Sequence, residues 1–160
     1  MKSNQVIYKE ENPKTIFILV EKKSLYVKLV LALLIVVSFL IPPAATVVSI
    51  QHDIRLNIGI VVSYLLFWGI GIYFIRVLLW NSYGKEVLIL EKDELNYYAD
   101  YKLFRDNKKT LKRIDLKIEI IELIIGKEKK GTLIFNNSIE TVIKLPISEL
   151  NKVKEKIETI

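Results

Sequence analysis

No cysteine occurs in the 160 residues, so disulfides, thiol nucleophiles and cysteine-based metal sites are excluded. A single histidine, His52, is too little for a histidine cluster. The six glycines are scattered, and no phosphate-cradling loop can be drawn from them. Charge is absent from two long stretches and plentiful elsewhere. The net charge of +6 suits an anionic membrane face and falls short of a nucleic-acid-binding signature, so no nucleic-acid partner is expected.

What is present is an apolar block between Leu29 and Trp80, which lifts the mean hydropathy above zero. Leu29–Ile50 is uncharged, and a hydrocarbon core of about 30 Å needs about 20 apolar helical residues. Ile58–Ile75 is a second uncharged run, extended past Arg76 to Trp80. An arginine one turn from a helix end can reach the headgroups while its stem stays apolar. Two spans are expected, 29–50 and 58–80, because the remaining chain is too small to bury such runs as a soluble core. A mostly polar segment precedes the first run, which is too long for a signal-peptide core.

Lysine and arginine set the expected orientation. Lys22, Lys23 and Lys28 precede the first span, and Arg76 and Lys85 flank the end of the second. The connecting Gln51–Asn57 loop holds only Arg55, offset by Asp53. Both termini are therefore expected in the cytoplasm, with Trp80 and Tyr83 as an inner aromatic belt. Pro42 and Pro43 remove backbone donors from the first helix, which makes either a functional hinge or partner groove, or a tolerated bend near the outer leaflet. Ala45 with Ser49, and Gly59 with Ser63, give small-residue spacing that permits a tight helix hairpin. Arg76 is the only charge within the spans, which speaks against a transporter or channel.

From Gly84 onward the periodicity changes to short strand-like runs with turn signals. Strands are predicted over Lys85–Leu90 and Glu94–Asp100, with a turn at Asp106-Asn107. Thr110–Ile125 reads as one bent strand or two joined at a bulge. Gly126–Gly131 is a charged turn, Thr132–Phe135 a strand, Asn136-Asn137-Ser138 a hairpin turn, and Ile139–Leu145 a strand stopped by Pro146. Ser148 is placed to cap a closing helix whose apolar stripe is Ile147, Leu150, Val153, Ile157 and Ile160. Near the N-terminus, Val6–Tyr8 and Thr15–Val20 flank a Glu10–Lys14 turn. Residues 1–28 form either a hairpin added to the C-terminal sheet or a segment on the membrane surface.

Two adjacent spans, then GKEVLILEKDELNYYADYKLFRD, LKRIDLKIEII, GTLIF and TVIKLPISELNKVKEKI, resemble small bacterial membrane proteins with a pleckstrin-homology-like (PH-like) domain. Leu111–Leu116 matches the loose LxxIDL pattern of such chains, and the resemblance covers Gly84–Ile160, about half of the protein. It implies an α+β membrane protein: a two-helix transmembrane hairpin and, over 84–160, a small antiparallel β domain. That domain would be a partly open barrel capped by the C-terminal amphipathic helix. Such domains bind lipids or proteins, and the resemblance carries no catalytic site. The abundance of Lys, Ile, Asn and Glu fits a low-GC bacterium, and hence its inner (cytoplasmic) membrane.

No enzymatic constellation is found. His52 reads as an interfacial loop histidine, and Asp93-Glu94 and Glu10-Glu11 as solvated charge at turns. The feature above background is a basic cluster, Arg105, Lys108, Lys109, Lys112 and Arg113, near Tyr97, Tyr98, Tyr101 and Phe104. Each such cation near an anionic leaflet contributes about 1 kcal/mol of attraction; the alternative is a solvated edge whose lysines prevent aggregation. Lys127, Lys129 and Lys130 form a weaker basic turn. The expected function is a non-enzymatic, membrane-anchored binding module without a cofactor, contacting anionic lipid, a membrane protein partner or a second copy. Alternatives are an accessory subunit docked through the helices at Ala45, Ser49, Gly59 and Ser63, or an inner-membrane immunity or defence protein. A reporter active only outside the cytoplasm should work when inserted near Asp53 and fail when fused at Ile160; activity at Ile160 would reverse the assigned orientation.

Overall fold

The alternation of buried and half-buried positions in Ile16–Ile18 and Leu95–Ala99 builds one face of a sheet. The structure, a computed structural model, describes residues 5–10, 13–52, 58–125 and 128–159. The expected roles of Glu11, Asn12, Asp53, Arg55, Gly126, Lys127 and Ile160 lie outside those residues. The chain is α+β, with two antiparallel sheets and three helices. It divides into a unit of residues 1–21 with 83–160 and a helical unit of residues 22–82.

In the first unit, β1 (Val6–Lys9), β2 (Lys14–Leu19), β3 (Lys85–Leu90), β4 (Glu94–Asp100) and β5 (Arg105–Lys112) form a meander in chain order. The open question over the N-terminal segment is thus resolved, since β1 and β2 belong to the same sheet as β3. Lys14 pairs with Leu90 and Leu19 with Lys85, and the Val20 N–H donates to the Gly84 carbonyl at 3.1 Å. The chain leaves the sheet after β2 and returns beside its own exit. Hydrogen-bonded strands cannot lie on opposite faces of a bilayer, so both flanks of the helical segment share one compartment.

The second sheet holds β6 (Ile118–Ile125), β7 (Glu128–Phe135), β8 (Ile139–Glu140) and β9 (Leu145–Pro146). Helix α3 (Ile147–Glu158) covers it with Leu150, Val153 and Ile157, the expected stripe. Its Lys156 pairs with Glu10, whose carboxyl is held below its usual range by that ammonium, and lies 5.3 Å from the Tyr8 ring centre. The core joins both sheets and α3 through Ile18, Leu88, Leu95, Tyr97, Leu133 and Phe135, all with at most traces of exposure.

Five expectations need correction. Glu128–Gly131 is not part of a charged turn but the start of β7, with Lys129 opposite Ile124, Lys130 opposite Leu123 and Gly131 opposite Glu122. Asp106-Asn107 is not the turn: both residues lie within β5, where the register shifts opposite Tyr98 and Asn107 takes a φ of 54°. The turn is at Lys102-Leu103. Thr110–Ile125 is not one strand, nor two joined at a bulge, because β5 and β6 lie in different sheets. The Arg113 N–H closes the first ladder on the Asp93 carbonyl, and the Leu116 N–H turns back to the Arg113 carbonyl at 3.1 Å. Ile139–Leu145 pairs only at its ends, since the Val142 and Ile143 N–H groups go to a side chain instead of a strand. Ser148 does not cap α3; Pro146 holds that position, where its missing N–H costs no bond, and the helix starts at Ile147. The Asn136-Asn137 turn does form, with both residues at positive φ, a conformation asparagine tolerates.

In the second unit, α1 (Leu25–Gln51) and α2 (Ile58–Tyr83) are long and apolar enough to cross a membrane. Only 11% and 6% of their most apolar windows is buried, unlike helices of a soluble core. Ser24 extends α1 beyond Leu29 by accepting the Val27 N–H at 3.5 Å. Helix α1 continues through Pro42 and Pro43. Gly71 meets Phe39, Phe39 lies 6.0 Å from Trp68, and Thr46 Oγ1 is 3.1 Å from Tyr64 Oη. As α1 advances its partners on α2 recede, so the helices run antiparallel.

Gly131 of β7 lies between Ile121 and α3. A Cβ there would stand 2.4 Å from the Ile121 carbonyl oxygen and 3.1 Å from side-chain atoms of Ile147 and Leu150. The carbonyl belongs to the β6–β7 ladder and cannot move without breaking it. Gly131→Ala should therefore destabilise the β unit by about 1–3 kcal/mol in thermal melts followed by circular dichroism. Gly69→Ala, where nothing lies within 4 Å, is the matched control and should melt with the parent.

Candidate functional site

Antiparallel register places residues side by side across strands, and the last rung of the first sheet reads Leu19, Lys85, Asp100, Arg105. Side chains of paired residues share a face. The rung is therefore a cation–anion–cation row at the end of the sheet where the chain departs for α1 and returns from α2. Lys85 Nζ is 3.4 Å from Asp100 Oδ2, and Asp100 Oδ1 accepts the Lys102 N–H at 2.8 Å. The single carboxylate is thus engaged from both sides. Among the described residues, Lys102 and Arg105 have aromatic partners: Lys102 Nζ is 4.4 Å from the Tyr83 ring centre, and the Arg105 guanidinium 4.9 Å from that of Tyr98.

The β4–β5 turn closes the row. Tyr101 donates its N–H to the Phe104 carbonyl at 3.0 Å, and the two rings stack at 4.6 Å. Lys102 sits at φ 76°, a conformation that favours glycine and costs a side-chain-bearing residue roughly 1–2 kcal/mol. Leu103, at the tip, is 76% exposed. Between Tyr83, the rung and this turn lies a recess of about 370 Å³.

Of the basic residues singled out from sequence, only Arg105 lines this recess. Lys108 and Lys112 are exposed along β5, one of the two edge strands of the sheet. Lys109 Nζ donates to the Ser138 carbonyl at 2.5 Å, bridging to the second sheet. Arg113, beyond the far end of β5, donates to the Glu91 carbonyl at 3.1 Å and braces the β3–β4 turn. Arg105 and Arg113 are separated by the length of a strand, roughly 24 Å. The cluster is a basic edge rather than a point site. Lys85, Asp100, Lys102 and Tyr83 escape sequence reasoning because the turn was expected four residues too late. With Lys102-Leu103 as the turn, Asp100 falls opposite Arg105.

Among the helix-packing candidates, Ala45 and Gly59 are exposed, while Ser49 and Ser63 are half-buried. Ser63 Oγ donates to the Ile60 carbonyl of its own helix at 2.7 Å. The seam instead uses Ser38, Phe39, Pro42 and Thr46 against Tyr64, Trp68 and Gly71. A Cβ on Gly71 would stand 2.6 Å from the Phe39 ring, so glycine is required there by the close approach.

The buried carboxyl of Glu86 is a separate matter. It is fully enclosed and accepts from Tyr97 Oη, from the Val142 N–H at 2.7 Å and from the Ile143 N–H at 2.9 Å. Burial pushes its pKa above the ordinary 4.5, against the opposing pull of these donors. Burial and the adjoining Glu86 carboxyl likewise raise Tyr97. With no exposure the pair cannot meet a substrate, and its work is to hold β3 to the segment between β8 and β9. Among the described residues, no group of three or more His, Asp or Glu side chains is placed to hold a metal ion. Compared with protein-family models, curated proteins and solved structures, the chain matches none of them.

Each oxygen of Glu86 faces one backbone N–H, and a glutamine would turn an NH₂ toward one of them. Glu86→Gln should therefore cost about 1–3 kcal/mol. Because the folded pKa is raised, the contribution of Glu86 is full below pH 4.5 and is lost as pH rises through the folded value. The stability gap between parent and variant, taken from amide-exchange protection at Val142 and Ile143, should narrow as pH rises above 4.5. A widening gap would mean that the carboxyl is held ionised.

Proposed function

We propose that this chain is a non-enzymatic binding module anchored in a bacterial inner membrane, with both termini cytoplasmic. Its β unit is of PH-like type and contacts anionic lipid, a membrane protein partner, or both. The observation that supports this reading best is the pairing of β2 with β3 across the helical segment. The strands that precede and follow the helical segment are adjacent in one sheet, so the β unit is tied to the two helices by two chain connections rather than one. Two antiparallel sheets with a C-terminal helix over one of them are compatible with the PH-like expectation. Lys22, Lys23 and Lys28 before or within the start of α1 favour the cytoplasmic side for this unit. On that side, the exposed Lys108 and Lys112 of β5 add attraction to anionic headgroups.

The test is extraction of the full chain from host membranes into native nanodiscs, with mass spectrometry of the retained lipid and protein. The parent should carry anionic lipid above its bulk membrane fraction or a stoichiometric membrane protein. Lys108→Glu with Lys112→Glu should reduce the anionic-lipid excess severalfold. Retention of neither a lipid excess nor a partner by the parent would overturn the proposal.

A further inference from the structure

The recess at the end of the first sheet has more of a binding site about it than the basic edge does. Its floor is the Lys85–Asp100–Arg105 rung, in which the only carboxylate is already engaged by Lys85 and the Lys102 N–H. Three cations, Lys85, Lys102 and Arg105, and one carboxylate, Asp100, line a recess of about 370 Å³, and with Lys85 balancing Asp100 the lining keeps a net positive charge from Lys102 and Arg105. Lys102 is kept in a glycine-like conformation, an unfavourable choice for stability at a turn where glycine would relieve the strain. At the tip, Leu103 is 76% exposed and Phe104 40% exposed, an apolar pair beside the cations. Lys85 stands two positions after Tyr83, the last residue of α2, so chain connectivity keeps this end of the sheet close to where α2 ends.

We infer that this recess binds the phosphate of an anionic lipid headgroup, clamped by Lys102 and Arg105, while Leu103 and Phe104 enter the acyl region. The inference rests on the membrane-anchored reading above and names the lipid site within it. A guanidinium and an ammonium converging on one phosphate supply charge-assisted hydrogen bonds, with the guanidinium fork able to take two phosphate oxygens. The apolar tip favours a lipid over a free phosphate, since a soluble ester gives Leu103 and Phe104 nothing to cover them. Tyr83, with its ring under Lys102, is the type of residue that settles at the headgroup level.

The experiment uses the full chain in nanodiscs of phosphatidylcholine doped with phosphatidylglycerol, counting retained phosphatidylglycerol by native mass spectrometry. Lys102→Gly is the informative variant, because it removes the charge and relieves the backbone. It should leave the melting temperature of the β unit equal or higher while lowering phosphatidylglycerol retention about fivefold, the factor for about 1 kcal/mol per cation. Arg105→Gln should act in the same direction, and Leu103→Asp should lower retention without altering the cations. Excess soluble glycerol phosphate should not displace the lipid. Loss of retention on Lys108→Glu with Lys112→Glu but not on Lys102→Gly would overturn the site and leave the membrane-module reading standing. Displacement by glycerol phosphate would overturn the lipid as occupant. No preference of the parent for phosphatidylglycerol over phosphatidylcholine would overturn the site, and the reading itself would then depend on a protein partner.

Discussion

Strand β2 ends where β3 begins, and the ladder between them constrains the whole chain. Its register from Lys14↔Leu90 to Leu19↔Lys85 joins segments separated by both long helices. Closing so long a loop costs chain entropy, although that cost grows only slowly with length. Once α1 and α2 pair antiparallel, the ends of the loop are already brought near each other, and the ladder has less to overcome. The same pairing obliges the flanks to share a compartment. It also places the exit and return of the chain on one rung, next to Lys85, Asp100 and Arg105. The strand ends that lead into and out of the helical segment are thus neighbours of the recess within the sheet.

A second constraint holds the two sheets together. Glu86 lies on the inner face of β3 beside Ile18 and Ala99, in surroundings that otherwise call for an apolar side chain. Its oxygens take the N–H groups of Val142 and Ile143, which explains why the run after β8 does not continue as a strand. An unpaired carboxyl in that position would be costly, and three donors reduce the cost. Asn107, at the bulge in β5, faces Tyr97, and Tyr97 in turn donates to Glu86. The bulge, the tyrosine, the glutamate and the interrupted strand form one connected polar group that runs from the buried Glu86 and Tyr97 to the exposed Asn107 and Val142.

The proposed lipid site and the basic edge draw on different physics. In the proposed function the edge lysines would act through diffuse attraction that falls off over the Debye length. The recess combines fixed cations, a strained turn and an apolar tip, the features from which selectivity for one headgroup can be built. Cation–π contacts to Tyr83 and Tyr98 orient Lys102 and Arg105 without neutralising them.

Residue order alone determined the elements that depend on local pattern. The uncharged runs marked α1 and α2, alternation marked β3 and β4 at their observed bounds, and the stripe of Leu150, Val153 and Ile157 marked α3. Asn136-Asn137 announced its turn because asparagine accepts positive φ at little cost. Elsewhere the deciding partners were remote. Lys102 gives no turn signal, and Asp106-Asn107 gives a strong one; pairing of β4 with β5 made the first a turn and the second a bulge. Ile139–Leu145 reads as a strand until Glu86, far earlier in the chain, takes its N–H groups. Ala45 and Gly59 have the spacing of a helix seam, yet the rotation of each helix was decided by Phe39, Trp68 and Gly71 fitting together. Local periodicity specifies which face of an element is apolar. Which neighbour that face meets, and which residues then converge into a recess, depends on contacts between distant segments, and those exist only once the chain has folded.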